Sequence, residues 1–413
     1  MATTGSDGGP LLGVRVLDLS MVVSGPVCSR VLSDLGADVI KVEPPGQDIL
    51  RFCVPHVGVD GVGVYFTWAN AGKRAITVDV RNPEGADIVR RLALSSDVVL
   101  ENFRPGMLAR YGLDADSLRA AKPELVYCSV NGWGEGNSWS QRRAYAAMVQ
   151  AEVGRVELDA RLRNQPAELY THVDGDITPG LMAVSAILAA LFQRERTGVG
   201  DHVDVSMAEV LLYTDEWTTS EMIGYDGPRS PDTWLYPVVE TADGRQAVFM
   251  GSPQGRLIEI AAALTDDPIQ PTDSYDEAVR ILRDLVHRIP DFPTLEARLE
   301  GANFVGEIRT VAEIAASPWA HERDVFREVE PGHHVPVKPF HSAASTIAVQ
   351  GRAPRFAEHT RQVLTERLGL DTDTLDTLEA SGAIISREKL PPEQLLPKDM
   401  THYSANRHNK QES

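Results

Sequence analysis

The sequence predicts an α/β protein. It has a large domain built on a doubly wound, mostly parallel, Rossmann-like sheet, and a smaller α+β domain inserted into it. Three observations predict this. Short apolar strand patterns alternate with helical patterns over the first 215 residues. Turn formers then cluster in Gly224-Tyr-Asp-Gly-Pro-Arg-Ser-Pro231. Apolar helical spacing returns at Val363, Leu364 and Leu368. Alternating strands and helices bury both faces of a sheet only when helices cover it on each side.

The elements read in order. Val14–Leu19 is a first strand, and Cys28–Leu35 is the helix crossing to a second strand at Ala37–Glu43. A third strand falls at Arg74–Val80, and others at Asp97–Glu101, Leu125–Val130 and Val203–Ser206. Between the third and fourth, Ile88, Val89 and Leu92 recur at helical spacing with Arg90 and Arg91 turned outward. Pro237–Met250 reads as a hairpin turning at Asp243-Gly244. Residues 256–315 are mainly helical. The expected divisions are 1–220 for the first part of the large domain, 225–330 for the small domain and 331–385 for the return to the large one. Residues 386–413 form a polar C-terminal arm, since the Pro-rich tail has little to bury.

Composition narrows the function. Among 413 residues, 40 Lys and Arg stand against 59 Asp and Glu, a net charge of −19. That argues against a nucleic-acid binder, which needs a basic face. It leaves room for an anionic small ligand where bases cluster locally. The reading expects no membrane span, because no run of about 18 uncharged apolar residues is present. MATTGSDGGP lacks the basic-then-apolar pattern of a secretory leader. Three cysteines, Cys28, Cys53 and Cys128, make no disulfide framework and no CxxC pair, so a reducing, cytoplasmic setting and no metal site are expected. The His333-His334 pair reads as loop residues without Asp or Cys ligands nearby. Trp133, Trp139 and Trp217 read as core, with a pocket wall as the alternative.

Two segments bear on chemistry. Strand 14–19, Ser24-Gly-Pro26, a helix and a strand ending in Glu43 have the shape of a dinucleotide unit, but only one of the three required glycines, Gly25, is present. A nucleotide of another kind still fits such a turn through backbone N–H groups. The second segment, Asp174–Leu191, carries one polar side chain and no charge over residues 181–192, a helix expected to be buried nearly all round. Thr178 is the expected N-cap and Pro179 the first helical residue. Asp176 then lies ahead of the positive helix end, whose field of about 0.3–1 kcal/mol favours the ionised carboxylate. Such a carboxylate can attack an acyl carbonyl. On spacing alone, however, Asp174 and Asp176 read as simple capping residues.

A longer pattern separates them. Leu12-Gly-Val-Arg-Val-Leu-Asp-Leu19, Leu35-Gly-Ala-Asp-Val-Ile-Lys-Val-Glu-Pro-Pro-Gly46, Asn70-Ala-Gly-Lys-Arg74, Glu101-Asn-Phe-Arg-Pro-Gly106, the 176–191 helix, Thr197-Gly-Val-Gly200, Val203-Asp-Val-Ser-Met207, Ser317-Pro318 and Ala353–His359 occur in this order. Over residues 11–380 the chain resembles the class III CoA-transferases, the group of formyl-CoA and carnitine CoA-transferases, with the α-methylacyl-CoA racemases as relatives. Each motif alone is weak, and their order and spacing are specific.

The resemblance implies that Asp176 is the nucleophile, with Gly180 four residues later, and leaves Asp174 a bland role. It implies CoA transfer from an acyl-CoA to a carboxylic acid through an aspartyl anhydride and an aspartyl-CoA thioester, with no metal or redox cofactor. It also implies that Lys73, Arg74, Asn102, Phe103, Arg104 and Arg110 contact CoA, Phe103 against the adenine and the bases toward phosphates. Arg143 and Tyr145 fall near the active site, where they would orient the thioester end, with Tyr145 counted among the catalytic groups. The family's interlaced homodimer is implied too, with the site between the large domain of one subunit and the small domain of the other. Racemases carry a His-Asp pair where this chain has Tyr145-Ala146, so one of the two acid/base groups that racemisation needs is missing. A racemase and a non-catalytic CoA binder are the alternatives. The family's four-glycine run has only a two-glycine counterpart near Gly224–Gly227, and the charged Arg155–Tyr170 stretch is unusual.

Overall fold

The computed structural model describes residues 8–53, 56–57, 62–163, 165–169, 172–224, 236–250, 253–299 and 305–390. The chain divides into two compact units, residues 219–323 and the remainder. Most of the hinge sequence (225–231) and of the polar arm (391–413) lies outside the described residues.

The larger unit is built on β1 (Arg15–Asp18), β2 (Asp38–Glu43), β3 (Arg74–Val78), β4 (Val98–Glu101), β5 (Val126–Asn131), β6 (His202–Ser206) and β7 (Ile384–Ile385). They form one sheet in the order β7-β3-β2-β1-β4-β5-β6. The first six strands run parallel, and β7 closes the β3 edge antiparallel, Ile384 opposite Val78. The chain reverses its direction of growth between β1 and β4, and loops diverging there open a crevice at the strands' carboxyl ends. The α/β fold with a mostly parallel sheet is thus the one read from the sequence; all six parallel strands fall where apolar runs mark them.

The pleat sorts the core. Val16 points to one face with Cys28, Leu32 and Ile187, while Leu17 points to the other with Ile88, Leu92 and Val363. On the Val16 face lie α1 (Ser24–Asp34) and α7 (Asp174–Thr197). On the Leu17 face lie α3 (Pro83–Leu94), α4 (Ala115–Ala121) and the helices Thr360–Leu368 and Thr372–Ala380. Asn82 caps α3 by accepting from the Glu84 N–H, with Pro83 at the first helical position, where its missing N–H costs nothing. α2 (Val64–Asn70), α5 (Ala146–Glu152), α6 (Arg155–Arg163) and α8 (Met207–Tyr213) complete this unit's main helices.

In the smaller unit, Val238–Glu240 and Gln246–Phe249 pair antiparallel as the sequence predicts. Gly244 holds φ +85° at the turn, and Asp243 accepts from Thr241 Oγ1 and the Arg245 N–H. Val305–Glu307 adds a third strand. Helices Pro253–Leu264, Tyr275–Val286 and Phe292–Arg298 cover the sheet.

Five local expectations are corrected. α1 starts at Ser24 rather than Cys28, so Ser24-Gly25-Pro26 forms its first turn. α7 starts at Asp174 rather than Thr178, and Pro179 lies inside it. Nor is α7 buried all round: Leu181 is 46% and Phe192 65% exposed. This helix is also long and apolar enough to cross a membrane, with a mean hydropathy of 1.6, where the sequence reading expected no such segment. Its Ala183–Val184–Ile187–Leu191 face is buried in the core against α1 and the sheet. Finally, His333-His334 lies in a strand, not a loop. His333 points inward to Thr67 Oγ1 at 2.8 Å and His334 outward, so the two cannot hold one metal together.

Candidate active site

The site begins with Asp176, in the first turn of α7. Gly175 lets this turn lie on the start of α5, where a Cβ would meet the Ala146 backbone at 2.8 Å. Tyr145, the residue before α5, is therefore next to the same contact, and its side chain is 64% exposed. One turn on, a Cβ on Gly180 would stand 2.5 Å from the Ser24 carbonyl oxygen. Ser24 Oγ in turn accepts from Asn102 Nδ2 at 3.1 Å. The helix that carries Asp176, the first turn of α1 and the Glu101–Gly106 motif are thus one packed assembly.

Asp176 is half-buried, and among the described residues no hydrogen bond or ion pair reaches its carboxylate. Burial pushes its carboxyl up to about 6. The helix-end field was expected to hold it ionised, but with no partner to accompany that field, desolvation is the larger effect.

Beyond β1, β2, β3 and β4, at the reversal of strand order, lies a mainly apolar cavity of about 400 Å³. Its walls include Met21, Val42, Val80, Phe103 and Leu108, with Arg110 at its rim. Arg110 stands over the Tyr111 ring at 5.1 Å and is otherwise exposed. A second cavity of about 240 Å³ lies across the 104–109 segment and is lined by Arg104, Tyr127, His202 and Glu101. Burial pushes the Glu101 carboxyl up to about 7, and Glu135 and Asp204 reinforce the shift.

The other expected contacts divide. Phe103 and Arg110 share the larger cavity, and Arg104 faces the smaller one. Arg143 is exposed two residues before Tyr145. Lys73 is elsewhere: its Nζ is fully buried and donates to Asp18 (3.1 Å), the Pro26 carbonyl (3.0 Å) and Asn70 (2.8 Å). Arg74 is engaged by Asp38 (2.8 Å) and Glu366 (2.7 Å) at the amino end of its strand. Asn102 spends its amide on the backbone, accepting from Met21 N–H at 2.9 Å and donating to the Met21 carbonyl at 2.7 Å. In this structure all three side chains are thus engaged by protein partners around the site's frame. Glu43, which a dinucleotide site would turn to a ribose, is buried and bound to Arg51 at 2.5 Å, which removes the nicotinamide reading.

Asp18 lies at the centre of a buried network that sequence reasoning missed. Burial works against its charge, but Lys73 and Lys41 together hold its carboxyl below the ordinary range, aided by Ser20 and Ser29. The signal was Lys41, a lysine between the apolar Ile40 and Val42 of its strand. The charged 155–163 stretch is α6, whose Glu157–Arg161 and Asp159–Arg163 pairs, each 2.9 Å, satisfy one another along the helix. Trp133 and Trp139 pack edge to face at 5.0 Å, with Arg142 over the Trp139 ring.

A half-buried carboxylate at a helix start and a crevice at a reversal of strand order are features of a ligand-binding α/β protein. Comparison with known proteins narrows this. The model of CoA-transferase family III matches residues 11–360. The succinate–glutarate CoA-transferase of Agrobacterium fabrum is 34% identical, over 86% of this chain and 95% of its own length. The formyl-CoA:oxalate CoA-transferase of Streptomyces avermitilis is 30% identical, over 91% and 99%. The crystal structure of a CaiB/BaiF family protein from Brucella suis superposes with a TM-score of 0.77 at 30% identity, covering 87% of this chain and all of that one. The chain belongs to CoA-transferase family III and is an enzyme of that class.

Proposed function

We propose that the enzyme moves CoA from an acyl-CoA to a carboxylic acid through covalent intermediates on Asp176. A carboxylate oxygen of Asp176 attacks the thioester carbonyl; the C–S bond breaks, leaving a mixed anhydride and CoA thiolate. The thiolate attacks the aspartyl carbonyl and releases the donor acid, leaving an aspartyl-CoA thioester. The acceptor carboxylate attacks that thioester, giving a new anhydride and thiolate. The thiolate then takes the acceptor's acyl group and frees Asp176. Each step exchanges one acyl bond for another, which replaces one hard exchange by easier ones. No metal or redox group enters this scheme, and exchange unaffected by a chelator is its check.

The observation that carries the reading is the state of Asp176: half-buried and unpaired among the described residues, with a carboxyl raised to about 6. Water stabilises this anion poorly, yet it is ionised at neutral pH, as a nucleophile requires. Tyr145, beside the Gly175–Ala146 contact, orients the thioester end with Arg143. Phe103 stacks the adenine in the 400 Å³ cavity, and Arg110 and Arg104 meet phosphates from its two sides. The names of the relatives favour small carboxylates such as succinate, glutarate or oxalate as substrates.

The reading includes the interlaced homodimer in a cytoplasmic setting. Leu181 and Phe192 on α7 and Leu212 and Tyr213 on α8, between 41% and 83% exposed, are the apolar surface such a partner would cover. Sedimentation equilibrium tests it, and a monomer at micromolar concentration refutes it. The chemistry is tested by incubation with a panel of acyl-CoAs and a hydroxylamine quench. A hydroxamate on the Asp176 peptide, absent in Asp176→Ala, is expected. Deuterium wash-in at the α-carbon without CoA exchange would instead identify an isomerase.

A further inference from the structure

We propose that Asp48 is a positioning residue for CoA transfer, holding the strained Met21–Val22 turn against the start of the helix that carries Asp176. Val22 has φ +68°, a left-handed backbone that a β-branched side chain strongly disfavours. Such a conformation persists only where its surroundings over-determine it. Here they do so from three sides. The Val22 N–H donates to both Asp48 oxygens, at 3.3 and 3.2 Å. Asp48 is itself fixed by Lys41 at 3.1 Å, both side chains being wholly inaccessible, and by the Leu50 N–H at 3.0 Å. Lys41 also donates to the Ser20 carbonyl at 2.8 Å, on the other side of the same turn. Asn102 clamps Met21 through both its N–H and its carbonyl.

The turn shares an apolar cluster with the residue that follows Asp176. Val22 packs in one apolar cluster with Ile177, the residue after Asp176, and with Val23, Val27 and Trp68. Met21, on its other side, lines the 400 Å³ cavity. The turn therefore spans from the cavity to the start of α7. Asp48 does not touch a reacting atom; it acts through the Val22 backbone. A glycine would take this conformation without a side chain to hold it. The valine here puts the geometry under the control of Asp48.

The inference rests on Asp176 as the nucleophile, and the test separates the two. Exchange kinetics are measured for Asp48→Asn, Val22→Gly and the double variant, with hydroxylamine trapping on the parent. An amide at position 48 offers one acceptor oxygen where two are used. Asp48→Asn is expected to lower kcat by about tenfold or more while KM for acyl-CoA moves less than about threefold. In the Val22→Gly background the same substitution should cost no more than about threefold in kcat, because glycine needs no clamp. An equal loss in both backgrounds, or a loss confined to KM, assigns Asp48 a merely structural role and overturns the proposal. Should Asp48→Asn alone not fold, the double variant decides: folded and active supports the clamp, unfolded or inactive overturns it. Failure to trap Asp176 in the parent counts against the nucleophile, whereas the Asp48–Val22 coupling is read from exchange rates alone.

Discussion

The backbone of Gly180 lies directly on the carbonyl of Ser24, with 2.5 Å between that oxygen and the place where a Cβ would stand. This is a close tie between the helix that carries Asp176 and the first turn of α1. Neither neighbour is a flexible side-chain end, so a methyl group cannot be absorbed locally. Gly180→Ala should cost about 1–3 kcal/mol of stability, read by urea unfolding, and should lower exchange as α7 shifts. An alanine variant with unaltered unfolding would show that the two helices are free to slide.

The pH profile reports the environment of Asp176. Its carboxyl is raised to about 6 from an ordinary 3.8. An anionic nucleophile is lost as protons bind, so kcat/KM should fall tenfold per pH unit below about 6, not below about 4. A profile flat down to pH 4.5 would contradict a desolvated nucleophile.

The same shift makes Asp176 a burden on the fold. A carboxyl whose folded pKa exceeds its unfolded one carries no penalty below the unfolded value. The penalty grows as pH rises between the two and is complete above about 6. Asp176→Asn should therefore be more stable than the parent at pH 7.5, by about 1–3 kcal/mol, and should lose that advantage at pH 4. Calorimetry at the two pH values checks the sign.

Lys73 and Arg110, both expected to contact CoA, differ in setting: Lys73 is buried against Asp18 and Arg110 is exposed beside the larger cavity. Lys73→Met leaves the buried Asp18 short of a partner and should cost about 3 kcal/mol or more. Arg110→Ala, at an exposed position, should leave unfolding within about 0.5 kcal/mol. It should instead raise KM for acyl-CoA about tenfold through a lost charge-assisted contact. Unfolding curves and KM values for both variants check this, and the reverse pattern would return Lys73 to the ligand.

Phe103 is tested by Phe103→Ala, which empties one wall of the cavity. An increase of about five- to thirtyfold in KM for acyl-CoA with kcat nearly unchanged is expected, the signature of a group that binds ground and transition states alike. A fall in kcat alone would move Phe103 from the nucleotide to the reacting end.

What the sequence by itself determined is local and periodic. Val16 and Leu17 alternate, and Ile88, Val89 and Leu92 recur at helical spacing, because each strand or helix must bury one face whatever its neighbours are. Asp176 was legible only through resemblance, since a carboxylate at a helix start serves equally well as a cap. Tertiary structure decided everything that depends on which strands become neighbours. Lys41, Lys73 and Arg74 look alike as bases in or beside strands. Strand order buries the first two around Asp18 and leaves the third paired with Asp38 and Glu366. It also decided how far burial raises the Asp176 carboxyl, to about 6. Val22 leaves no trace in the sequence: its left-handed backbone is imposed by Asp48 and Asn102, 26 and 80 or so residues away, and no propensity of valine predicts it.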